Sequence, residues 1–134
     1  MKNMLGEEVI NEFRGDYYFL SNFYPAPIVV KDMGMVDTVE HAFQAAKTID
    51  LEEMKKIFKA YSPALAKQLG KTVTLRNDWQ EIKNDLMYQL VRLKFLSHPD
   101  LHQKLQDTGE AMLIEGNTWG DTYWGVCNGV GKIC

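Results

Sequence analysis

Three residues in the stretch VEHAFQAAK, Glu40, Gln44 and Lys47, stand at i, i+4 and i+7. On an α-helix that spacing gathers an acid, an amide and an amine within an arc of about 60°. A carboxylate can exchange a proton or stabilise a nearby cation, an amide fixes orientation, and an amine holds an anion or attacks carbon. Val39, Ala42, Phe43 and Ala46 form an apolar stripe on the other side, small enough to let the helix lie deep. Spacing alone fits two readings. One is a solvated face with Glu40 as a helix cap, and the other is three groups aimed into a pocket.

A second concentration of unusual residues closes the chain: EGNTWGDTYWGVCNGVGKIC, residues 115–134, with two Trp, one Tyr, Asp121 and five Gly. It is too rich in Gly for a helix and too aromatic for a disordered tail. Trp119 and Trp124 either wall a ligand or pack in the core. Trp79 poses the same question, since it lies on the apolar stripe of its own helix yet at the first turn, beside the polar Arg76, Asn77 and Asp78.

Other chemistries find little support. His98 and His102 have i, i+4 spacing but no neighbouring acid or Cys to complete a metal site, so no metal is expected. The terminal GVGK is not a P-loop, because its first Gly is misplaced and Ile133 stands where Ser or Thr would hold Mg²⁺. Ser21 and Ser62 lack a G-x-S-x-G context. A net charge of −3 argues against a dedicated binder of nucleic-acid backbone, although one or two basic residues suffice for a phosphate. Two Cys without a CxxC point to reduced thiols and a cytoplasmic protein, and the N-terminus lacks the long apolar run of a signal peptide or anchor.

The elements that must position these residues can be read from punctuation and period. The 134 residues suit one domain. EVINEF and APIVV read as short strands flanking an aromatic loop, RGDYYFLSNFYP, and DMGM reads as a turn. A helix is expected from Asp37, with Asp37 and Glu40 spaced as a capping box, and a second from Asp50 with Glu53 at N3 and Met54, Ile57 and Phe58 inward. Ser62-Pro63 opens a third helix that Gly70 closes as C′. The longest runs from Asn77 or Asp78 to Phe95 on a stripe of Trp79, Ile82, Leu86, Leu90 and Leu93. His98-Pro99 starts a short helix ending near Gly109, and AMLIEG is a strand. The class is α+β, a mostly helical single domain with a few short strands.

Four blocks in order, RGDYYFLSNFYPAPI, TVEHAFQAAK, LRNDWQEIK and EGNTWGDTYWG, resemble the YbiA/NADAR family of N-glycosidases over nearly the whole chain. The resemblance implies a YbiA-like domain over residues 1–134 that cleaves a C–N bond between ribose and a base or amine. The substrate would be a riboflavin-pathway pyrimidine intermediate or ADP-ribose on guanine, in a nucleobase or in nucleic acid. The family's acid falls on Glu40, its Trp on Trp79, its second acid on Asp121 and its Lys on Lys47. Relatives continue past GxGxN into a further helix, whereas this sequence has Ile133 at that Asn and stops at Cys134, so the last helix is expected to be missing.

Such a cleavage builds positive charge on the ribose and negative charge on the leaving base. Glu40 and Asp121 would divide the work of stabilising that state and activating water. Lys47 would anchor a phosphate or attack C1 of an opened ribose as a Schiff base, but Glu40 beside it favours the charged amine and so ranks water first. Arg14, Asn22 and Phe23 would hold phosphate and base, with Gln44, Trp79, Trp119 and Gly120 lining the site. No redox cofactor or metal is needed. The rival readings are a non-catalytic ADP-ribose or NAD binding module and a structural helical adaptor.

Overall fold

The structure is a computed structural model and describes residues 9–10, 13–31, 33–108 and 112–113. The chain divides into two compact units, Asn22–Ser97 and one built from the chain's two ends, Met1–Ser21 with His98–Cys134. The architecture is α+β and mostly helical, as the sequence implies.

The Asn22–Ser97 unit opens with a hairpin of two antiparallel strands. β2 (Ile28–Val30) pairs with β3 (Gly34–Val36), while β1 (Val9–Ile10) belongs to the other unit. DMGM is therefore more than a turn, because its Gly34, at φ +89°, begins a strand. The hairpin alternates as a one-faced sheet should: Ile28 and Val36 are buried, while the cross-strand pair Val29 and Met35 is 62% and 70% exposed.

Four helices follow, α1 (Val39–Ala45), α2 (Leu51–Phe58), α3 (Pro63–Gly70) and α4 (Trp79–Ser97). Every residue of α1 is buried, and α2, α3 and α4 all pack against it. Small side chains permit this: Ala45, Ala60 and Ala66 join Ile57 in one apolar cluster. The solvated-face reading of α1 is thereby overturned. So is the Asp37 cap, since Thr38 caps the helix through Oγ1, which accepts from the His41 N–H at 3.1 Å. Glu40 is consequently at N2 and takes no part in a capping box.

Asp50 caps α2 as expected, accepting from Glu52 and Glu53 N–H. Glu53 does not reach back to it. Its carboxylate accepts instead from Thr48 Oγ1 at 2.8 Å and Thr74 N–H at 3.0 Å, joining the segments before α2 and after α3. Ser62 and Pro63 open α3 as expected, with Ser62 Oγ accepting from Leu65 N–H. Gly70 is not a left-handed C′ residue: it is the last residue of α3, and Lys71 follows in a right-handed conformation. On α4 the buried stripe is Trp79, Met87, Leu90, Val91, Lys94 and Phe95, whereas Ile82, Leu86 and Leu93 are only half-buried. The inner face is rotated because Lys94, 1% exposed, turns inward with its ammonium 5.6 Å from the Tyr24 ring centre and 5.2 Å from that of Phe95.

In the other unit, β1 pairs in parallel with β4 (Met112–Leu113). Part of the expected aromatic loop is a 3-10 helix, Gly15–Leu20, which buries Phe19 and Leu20. α5 (Pro99–Asp107) carries Lys104, whose ammonium lies 5.8 Å from the Phe19 ring centre. Among the described residues no helix is long and apolar enough to cross a membrane.

Candidate active site

The site grows from the start of α1. Thr38 and His41 lock the entry to the helix through two contacts, because Thr38 Oγ1 also lies 2.8 Å from His41 Nδ1. His41 Nε2 is 3.0 Å from Ala60 O, which can only accept, so Nε2 carries the proton. In the neutral ring Nδ1 is then left to accept from the Thr38 hydroxyl. His41, 1% exposed, is thus a strut between α1 and the segment after α2.

On this fixed first turn stands Glu40, 7% exposed. Its N–H donates to Asn22 O at 3.1 Å, which ties Asn22 to the helix. Its Oε1 accepts from Gln44 Nε2 at 2.8 Å. A buried carboxylate needs such donors, and the first-turn backbone dipole favours its negative charge. Gln44 is 4% exposed, and its Oε1 has no hydrogen-bond partner among the described residues. An unmet buried acceptor of this kind costs about 1–3 kcal/mol.

Lys47 lies just beyond α1 rather than on it. The helix tightens at its end, and Lys47 N–H donates to Gln44 O at 3.2 Å. Its carbonyl accepts from Arg76 N–H at 2.7 Å, which pins the approach to α4. The amine is half-buried. Burial holds its pKa below the ordinary 10.5, Glu40 opposes that by favouring the charged form, and Lys67, Lys71 and Lys83 push it down further. The opposition from Glu40 expected on sequence grounds exists, but it does not prevail.

Trp79 is 5% exposed and packs on Phe43 with ring centres 4.9 Å apart at 57°. Next to it, Arg76 Nε donates to Asp78 Oδ1 at 2.6 Å, and this partly exposed pair holds the Asp78 carboxyl below its ordinary range. Asn22 points Nδ2 at Met87 Sδ, 3.6 Å away, and Phe23 beside it is half-buried.

Of the expected site residues, the Asn22–Ser97 unit therefore contains Asn22, Phe23, Glu40, Gln44, Lys47 and Trp79. Glu40 is linked directly to Gln44 and Asn22 and electrostatically to Lys47. Arg14 is in the other unit, exposed, at the start of the 3-10 helix. Trp119, Gly120 and Asp121 lie outside the described residues. Sequence reasoning missed Thr38 and the lysines of α3 and α4, although the i, i+4 spacing of Lys67 and Lys71 was there to be read. Among the described residues no group of three or more His, Cys, Asp or Glu is arranged to hold a metal.

Comparison with known proteins shows the family. The N-glycosidase YbiA of Shigella flexneri serotype 5b (strain 8401) is 35% identical over 137 residues, covering 98% of this chain and 84% of that protein. A riboflavin biosynthesis protein of Vibrio vulnificus (strain YJ016) is 35% identical over 109 residues, covering 80% of this chain and 29% of its own length. The NMR structure of Escherichia coli YbiA matches with a TM-score of 0.77 and 35% identity, over 93% of this chain and 73% of that one. The NADAR domain matches residues 10–132, and the chain belongs to the NADAR family.

Proposed function

We propose that this chain is an N-glycosidase that hydrolyses the C–N bond between a ribose and a base or amine. The observation that carries the reading is a buried carboxylate, Glu40, held by Gln44 within electrostatic reach of an amine of lowered pKa. Curated relatives bearing the name N-glycosidase support it. As the bond breaks, positive charge grows on C1 and O4′ of the ribose, and Glu40 can stabilise it or activate the incoming water. Asp121 is the second carboxylate of the proposal.

Lys47 supports a covalent route beside direct attack by water. A neutral amine attacks C1 as the C–N bond to the base breaks, and the base departs with one amine proton. The C1–O4′ bond then opens, O4′ takes the second proton, and the ribose is left as an imine on Nζ. Water then adds at C1 and releases ribose and the free amine. The lowered pKa raises the share of neutral amine that this route needs.

The substrate class we propose is a ribosylated pyrimidine amine of the riboflavin pathway, as the name of the Vibrio relative suggests, with ADP-ribosyl guanine as the second candidate. A phosphate or diphosphate on the ribose would meet the positive field of Lys47, Lys67, Lys71 and Lys83. A cytoplasmic setting, where such substrates arise, completes the proposal. A non-catalytic ADP-ribose binder would gain nothing from a buried acid beside the ligand. Mass-spectrometric detection of free base decides between the two. Wild-type protein should release it, and Glu40→Gln, in which Oε1 still accepts from Gln44, should stay folded and release none. Binding without release by the wild type would establish the binder instead.

A further inference from the structure

The seat of Gln44 requires residue 70 to have no side chain. A Cβ built on Gly70 would overlap Gln44 Oε1, and would come within 2.8 Å of Cδ and 3.1 Å of Cβ of the same residue. The backbone does not ask for glycine here. Gly15 and Gly34 are the described glycines at positive φ, whereas Gly70 is helical, where propensity favours alanine. Space is therefore the reason for glycine at this position. The severe overlap is with the amide end of Gln44, whereas the contact with its Cβ asks for a shift of only a few tenths of an ångström. Either α1 and α3 move apart or the amide leaves its place.

We propose that Gly70 is a positioning residue for the reaction, its bare Cα letting the Gln44 side chain lie against α3 and present Nε2 to the Glu40 carboxylate. The proposal rests on Glu40 as a working carboxylate of the N-glycosidase. It identifies a glycine on a neighbouring helix, contributing no atom to the chemistry, as the part that sets the carboxylate's partner. A methyl group there separates Nε2 from Oε1, which now stand 2.8 Å apart, and the carboxylate loses a donor that orients it.

The test is a cycle of Gly70→Ala, Gln44→Ala and the double variant, with kcat and KM measured on a ribosylated pyrimidine amine. The Gln44 side-chain amide is followed in parallel by 15N-correlated NMR. Gly70→Ala should lower kcat on the order of tenfold, by the same factor as Gln44→Ala, with KM within about twofold, as expected for loss of one hydrogen bond to a charged group. In the double variant the overlap with the amide is gone and only the tight contact with the residue 44 Cβ remains, so it should fold and be no slower than either single variant. The amide resonances of Gln44 should shift in Gly70→Ala toward those of an unpaired glutamine. Multiplication of the two losses in the double variant would overturn the proposal, as would an unshifted Gln44 amide in Gly70→Ala. If the wild type turns over none of the ribosyl amines, the functional reading fails, and the amide shift still decides the positional claim.

Discussion

At Lys47, burial and three neighbouring lysines outweigh the attraction of Glu40, so the amine loses its proton more readily than an ordinary lysine. If Nζ is the nucleophile, kcat rises with pH along a limb set by that lowered pKa. Lys67→Met removes one of the like charges and should move the limb to higher pH. Lys47→Arg should abolish turnover on the covalent route, since a guanidinium does not form an imine, but should merely raise KM if Lys47 holds a phosphate. Borohydride added during turnover would trap a mass increment on the Lys47 peptide in the first case and none in the second. The same shift bears on folding. The folded pKa lies below the unfolded value of 10.5, so between the two the unfolded chain binds more protons. The penalty for charging Lys47 is full below the folded pKa and fades as pH rises toward 10.5. Stability should therefore increase with pH across that window when Lys47→Met serves as the reference in thermal unfolding.

Among the elements, α1 governs the site because its entry and its flank are both fixed. Thr38→Val removes the cap and the contact to His41 Nδ1, and should cost about 1–2 kcal/mol in a denaturant titration. If stability is unchanged, the cap is not what sets the helix start. Trp79→Ala should cost roughly 3–5 kcal/mol through the Phe43 contact, whereas Trp79→Phe should keep most of it. A KM that rises in a folded Phe variant would give the indole a second role at the ligand. Much of this frame was legible in the sequence. Ser62-Pro63 and Asp50 are local signals and act where they stand, and the class followed from period and punctuation. What misled was context. Asp37 and Thr38 are both good caps, and the buried His41 in the helix's first turn holds Thr38 through its N–H and its ring. Lys94 breaks the apolar stripe of α4 in sequence, yet aromatic rings make it an inner residue. Gly70 has the form of a helix terminator, and the approach of α1 that explains it is a tertiary fact with no local sequence signal.

On the scale of the molecule, charge is unevenly spread. The chain carries a net −3, yet Lys67, Lys71 and Lys83 each add to burial in pushing the Lys47 pKa down. Two of these come from α3 and its C-cap and one from α4, so the packing of those helices on α1 creates a positive field that composition hides. Such a field matters for an anionic substrate, and its reach depends on salt. The screening length falls from about 30 Å at 0.01 M to about 8 Å at 0.15 M ionic strength. For a ribosylated pyrimidine amine bearing a 5′-phosphate, kcat/KM should therefore decline across that range. The dephosphorylated compound lacks the charge and should show a nearly flat profile. Lys71→Glu, a change on the exposed C-cap of α3, should flatten the first curve toward the second, with rates compared on the high-pH plateau because the change also raises the Lys47 pKa. If the two compounds respond to salt alike, the lysines tune the amine of Lys47 and do not hold a phosphate. A persistent difference that Lys71→Glu leaves untouched would move the phosphate to other cations, Arg14 being the first to substitute.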